Sequence, residues 1–306
     1  MDIRWPVVPR HAWRASRRQA ASLGAWLVAM LAGLGLLAAT GPVGAQQPPL
    51  RMALIPYLSS NVLVPLFQPL ARHFEQDLGR AVDLYSAPSI RAHVERIVRP
   101  DYDIVFTAPH MGRLAQLDGG YVPIGSFERP LTGVISVRAD GPIKNFDQLR
   151  GKSVAINDRL VLNSILTLKE PEKRGIGLRD LVIVPAASQN SALLAVAAGD
   201  VDAAITVNFA IGQIPAERQA ELRSLFQTDE VPGMPSTLIL VHPAMPAAQR
   251  QRLETSLLGF AKTDEGRRFL QASSYRSVVR AAPENVKKLD IYLPELRRLL
   301  AAGSGN

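Results

Sequence analysis

"SVAINDRLVLNSILTLKE", Ser153–Glu170, sets a short run that favours a buried strand against a polar junction and then an apolar pattern at helical spacing. Strand, short turn and helix is the repeating unit of an open α/β sheet. The same unit recurs on both sides of this stretch. Upstream, "RMALIP" (51–56) reads as a strand, and Asn61 can cap a helix through "LFQPLARHFEQDL" that Gly79 ends. "AVDLYSA" and "YDIVFTAP" are strands, each followed by a helix, near "SIRAHVERIV" and from His110 to Leu117. "YVPIGSFE" and "LTGVISVR" are further strands. Downstream, "LVIVPAA", "DAAITVN" and "STLILVHP" are strands, and "QNSALLAVAAG" is a helix ended by Gly199. From Ala247 to Leu300 the pattern is almost all helical, with a kink or restart at Pro294. The expectation is an α/β protein with mostly parallel sheets flanked by helices. The two sets of units, joined by extended segments near Arg129 and Pro235, predict two lobes with the last helices packed back on the first. The expected division is residues 46–129 and 236–306 for lobe 1 and 130–235 for lobe 2.

Residues 1–45 read as an export signal. Arg4, Arg10, Arg14, Arg17 and Arg18 precede an uncharged run from Ala20 to Thr40, and Val43 and Ala45 stand at the small-residue positions of a cleavage site. Cleavage after Ala45 would release a periplasmic protein; the alternative is an uncleaved inner-membrane anchor that faces the periplasm. The Arg17-Arg18 pair leaves the export route open between the general and twin-arginine systems. Loss of this segment removes five arginines and Asp2, so the net charge falls from +8 to +4. Half of the net positive charge therefore belongs to the signal. The remaining Lys and Arg form no long run, which argues against nucleic acid as a partner.

Reactive constellations are missing from the sequence. There is no cysteine, which excludes thiolate chemistry and disulfides. His73, His93, His110 and His242 show no metal-binding spacing, and no nucleophile elbow, phosphate loop or dinucleotide fingerprint occurs. No cofactor is called for. Binding is the better reading, because open α/β sheets hold ligands at the carboxyl ends of their strands, beside helix N-termini that favour anions. Short polar residues stand at five such ends. The candidate contacts are Tyr57, Ser59, Ser60 and Asn61; Thr107 and His110; Asn157 and Arg159; Ser188, Gln189 and Asn190; and Asn208. Each alone also suits an ordinary helix cap, and His110 suits packing equally well.

The segments "ALIPYLSSNVLVPLFQPLARHFEQDLG", "DIVFTAP", "VISVRADGPIKNFDQLRGKSVAI" and "QNSALLAVAAGDVDAAITVN" together resemble the solute-binding proteins for phosphate, phosphite and phosphonate uptake. The resemblance spans roughly residues 51–243. It implies a type II periplasmic binding fold with an interlobe cleft that closes on a small anionic ligand, such as a phosphonate, phosphite or phosphate. It also implies a monomer that delivers the solute to an ABC permease in the inner membrane. Tyr57 matches the family's pocket tyrosine, and Thr107, Ala108 and Pro109 match its third-strand motif, although Met111-Gly112 replace a Ser-Tyr pair. The family's Ser-Thr-Ser-Gly phosphoryl cradle falls on Asp158, Arg159, Leu160 and Val161, which lack hydroxyls. Arg159 could supply a forked contact to an oxyanion instead, or point to solvent while Asp158 caps the turn. Gln189-Asn190 and Asn208 stand where the family has acidic or histidine partners. Two rivals remain: a sensor of the same fold that feeds a membrane histidine kinase, and an enzyme acting on a small precursor through Lys169 or His110.

Overall fold

The computed structural model describes residues 47–58 and 60–303. The expected signal segment and the candidate Ser59 lie outside the described residues. Two sheets organise the chain. The first starts with β1 (Leu50–Leu54), buried along nearly its whole length, as a strand covered on both faces must be. Helix α1 (Ser60–Leu78) returns the chain to β2 (Val82–Ser86), and α2 (Ile90–Val98) leads to β3 (Ile104–Thr107). Both β2 and β3 pair with β1 in parallel, which makes two crossover units. In α1, Leu63, Phe67, Leu70, Ala71 and Phe74 make the buried stripe, and Gly79 ends the helix in the left-handed region at φ +64°. Asn61 is a first-turn residue of α1 rather than its cap, because the helix already includes Ser60. Helix α3 (Pro109–Gly119) then leads to β4 (Val122–Glu128).

After β4 the chain crosses to a second sheet made of β5 (Gly133–Arg138), β6 (Ser153–Ile156), β7 (Val182–Pro185), β8 (Ala203–Val207) and β9 (Leu222–Gln227). Helices α4 (Leu162–Lys173), α5 (Gln189–Ala198) and the short α6 (Ala216–Ala220) connect them. The order is β7-β6-β8-β5-β9. The chain then returns as β10 (Leu238–Val241), followed by α7 (Ala247–Phe260), α8 (Asp264–Ala272), β11 (Ser277–Val279), α9 (Pro283–Lys287) and α10 (Leu293–Ala301). The first sheet is ordered β11-β4-β10-β3-β1-β2.

The sheets are mixed rather than mostly parallel, and the crossings explain why. A strand that enters from the other lobe starts at the cleft, where the parallel strands end, so it must run against them. Accordingly β5 is antiparallel to β8, and β10 is antiparallel to both β3 and β4. Two strands escape the sequence pattern. They are β9, and β11 inside the region expected to be helical, where Ser277–Val279 pair with Glu128–Ser126 at the sheet edge.

One large core joins β1, β3 and β10 to Leu253, Leu257, Phe260, Phe269, Leu289 and Leu296 from the C-terminal helices. Two smaller cores lie against the second sheet, one around Ile135, Phe146 and Ile205, the other around Leu193, Val196 and Val207. The large core also takes in Leu160, Leu162 and Ile165, which follow β6 of the second sheet. That stretch is packed between the lobes.

Candidate ligand-binding site

A cavity of about 750 Å³ opens between the strand ends of the two sheets. The first lobe lines it with the β1–α1 turn (Pro56, Tyr57, Ser60), the end of β3 (Thr107, Ala108), the approach to β10 (Ser236, Thr237) and Tyr275. The second lobe contributes Asn157, Asn163, the α5 N-terminus (Ser188, Gln189, Asn190), Phe209 and Gln213. Arg129 and Leu131, on the first crossing, close one side. Among the described residues Arg129 is the one lining side chain with a formal charge.

Of the candidates named from sequence, Tyr57, Ser60, Thr107, Asn157, Ser188, Gln189 and Asn190 line the cavity. Local structure already occupies some of their hydrogen-bonding capacity. Ser188 caps α5 by accepting from the Ser191 N–H at 3.1 Å, and the Ser188 N–H donates to Ser191 Oγ at 2.9 Å. Gln189 Oε1 accepts from the Val207 N–H at 2.7 Å, tying the helix start to the end of β8. The Thr107 hydroxyl lies 2.9 Å from Nε2 of the buried His93, whose pKa burial lowers to about 3. Burial also pushes the Tyr57 phenol far above its usual range, with Tyr275 adding and Arg129 opposing. Tyr57 is therefore a neutral donor at any working pH.

Asn61, His110, Arg159 and Asn208 do not line the cavity. Asn61 is exposed on the first turn of α1. Asn208 pins the crossing segment: its N–H donates to the Thr132 carbonyl at 3.1 Å, and its Oδ1 accepts from the Thr132 N–H at 3.4 Å. His110 is fully buried, and its Nε2–H donates to the Leu160 carbonyl across the lobes at 2.8 Å. Burial lowers its pKa to about 4, against a smaller raising effect of that bond. Arg159 acts towards α10. The Glu295 carboxyl is held low chiefly by its hydrogen bond to Arg298, with a further contribution from the charge of Arg159. Asp158 closes the turn by accepting from the Leu160 N–H at 2.8 Å. The junction after β6 therefore divides, with Asn157 and Asn163 at the cavity and the Asp158–Leu160 stretch built into an interlobe contact.

Arg129 was missed by the sequence reading. Its N–H donates to Ser236 Oγ at 3.1 Å and its Nη1 to the Ser273 carbonyl at 3.1 Å. The guanidinium carbon lies 3.6 Å from the centre of the Phe209 ring and 4.5 Å from that of Tyr275. Its Nε is buried with no hydrogen-bond partner among the described residues. A cation placed in this way is a ready counter-charge for an anion. Its one sequence cue is position, an arginine on the strand-to-strand crossing that must border any interlobe cleft.

The model of one family, described as ABC transporter, phosphonate, periplasmic substrate-binding protein, matches residues 52–286. The chain belongs to this family. Several solved structures share the fold of this phosphonate-family binding protein. PhnD1 from Prochlorococcus marinus, in complex with methylphosphonate, aligns with a TM-score of 0.71 at 14% identity, covering 82% of this chain and 98% of that one. A binding protein component of an ABC phosphonate transporter from Pseudomonas aeruginosa gives 0.71 at 13% identity, covering 85% and 91%. The alkanesulfonate-binding protein SsuA from Xanthomonas axonopodis pv. citri, bound to MOPS, gives 0.55 at 20% identity, covering 84% and 95%. At these identities the likeness is one of fold, the type II periplasmic arrangement of two mixed sheets flanked by helices. No curated protein matches the chain in sequence. The phosphonate-family protein has no cluster of metal-binding side chains among its described residues, and no described helix is long and apolar enough to cross a membrane. The four histidines among the described residues make structural contacts. His73 and His242 donate to the Ser256 and Pro100 carbonyls, and His93 and His110 are buried in the contacts given above.

Proposed function

We propose that the protein is the solute-receiving subunit of an ABC importer, which takes a small oxyanion-bearing solute into the interlobe cavity and catalyses no reaction. The observation that carries this reading is the partly unpaired Arg129 in a cavity lined by both lobes. A solute touching both walls stabilises the closed arrangement by its added contacts, and the crossings near Arg129 and Pro235 serve as hinges. The lobes divide as 46–129 with 236–306, and 130–235. Residues 1–45 act as the export signal, cleaved after Ala45, and the mature protein works as a monomer in the periplasm.

Thermal unfolding of the purified protein against phosphate, phosphite, methylphosphonate, alkyl and aryl sulfonates, and mono- and dicarboxylates tests the reading. A ligand at a hundredfold excess over its Kd raises stability by about 2.7 kcal/mol. A flat response to every oxyanion in the panel rejects it.

A further inference from the structure

Resting on that reading, we propose that the solute is an organic monoanion, a carboxylate or sulfonate on an apolar body, held through Arg129. Charge balance is the first ground. Among the described residues the cavity walls carry one cation and no carboxylate, lysine or histidine, and Tyr57 stays neutral. One negative charge is matched by a cation; a second would be desolvated against neutral donors alone, with no counter-charge. The place where the resemblance implies a hydroxyl cradle for phosphoryl oxygens holds Asp158, Arg159, Leu160 and Val161, none with a hydroxyl, and of these only Val161 lines the cavity. Without an acidic lining residue, an ammonium group on the solute would also be left unpaired.

Size and wall chemistry are the second ground. A lone five-atom oxyanion would leave room for about twenty waters in about 750 Å³, at roughly 30 Å³ each. A cavity of this size suits a larger organic solute. Carbon walls are provided by Leu58, Leu131, Val161, Leu162 and Phe209. The Arg129 guanidinium lies against Phe209 of the second lobe and Tyr275 of the first, so an anion held by its cavity-facing side reaches both lobes at once.

Calorimetric titration of the purified protein at pH 8 tests this with benzoate, benzenesulfonate, benzamide, methylphosphonate, phosphate and 2-aminoethylphosphonate as probes. Benzoate or benzenesulfonate is expected to bind at least about tenfold tighter than methylphosphonate, phosphate or the aminophosphonate, with benzamide not binding. Arg129→Gln should weaken the monoanion about 100-fold, and Arg129→Lys, which keeps the charge but not the fork, about tenfold. Tighter binding of methylphosphonate or phosphate overturns this proposal and leaves the importer reading standing. Equal affinity for benzamide and benzoate overturns it even where the Arg129 variants fail to fold, as does an Arg129→Gln protein with unchanged affinity. No binding by any probe overturns this proposal, while the importer reading falls only with a flat response across the wider oxyanion panel.

Discussion

At the residue scale, the cleft shows which side chains local sequence can place. Tyr57 and Ser188 sit at strand ends and helix starts, so their positions follow from the local pattern alone. Arg159 does not, because its distant neighbour is Glu295, more than a hundred residues away, and nothing near Asp158 announces α10. Arg129 was hidden for a similar reason: Phe209, Ser236, Ser273 and Tyr275 all meet it from remote segments. Tyr275 itself follows a non-glycine residue at positive φ, Ser274 at +58°, where the chain leaves α8. A serine there bears the Cβ strain that glycine avoids. The exposed Ser274→Gly relieves a left-handed penalty of about 1–2 kcal/mol against an entropic cost of about 0.4–1 kcal/mol, so it is expected to stabilise the protein by about 0.5–1 kcal/mol, read as a raised urea midpoint at constant slope. A lowered midpoint would show that the hydroxyl outweighs the backbone term.

At the scale of elements, strand and helix order was legible from alternating patterns, whereas strand direction was not. Nothing within "STLILVHP" records that β10 enters from the other lobe, and a three-residue strand such as β11 gives too short a pattern to set against helix. The junction after β6 has its own lesson. Leu160 and Leu162 read as the start of a helix, yet they pack in the core of the opposite lobe, with the Leu160 carbonyl accepting from buried His110. Leu160→Ala should cost about 2–4 kcal/mol in urea unfolding, since the cavity it leaves lies between two packed surfaces. A change below about 0.5 kcal/mol, the usual size at an exposed site, would contradict the burial of that side chain.

Across the whole molecule, the two buried histidines set a direction for acid stability. His93 and His110 stay neutral when folded down to about 3 and about 4, against an ordinary value of 6.5. The unfolded chain thus binds more protons between pH 6.5 and 4, and stability falls as pH drops through that window. The loss is on the order of 3 kcal/mol per histidine. It is partly offset by Asp158, whose pKa burial raises. Urea midpoints at pH 7.5 and 4.5 check this; equal midpoints would refute it, and His110→Gln should remove about half of the decline. The place of β10 in the first sheet has another consequence, this time for biogenesis. Because β10 lies between β3 and β4, a nascent polypeptide that stops before Leu238 lacks an interior strand of that sheet. The five strands of the second sheet, by contrast, all fall between residues 133 and 227. An isolated 130–235 fragment should therefore unfold cooperatively by circular dichroism while a 46–129 fragment does not. The leading portion of the polypeptide would then stay unfolded until most of it has been made, the condition under which it can still be threaded through a narrow translocation pore.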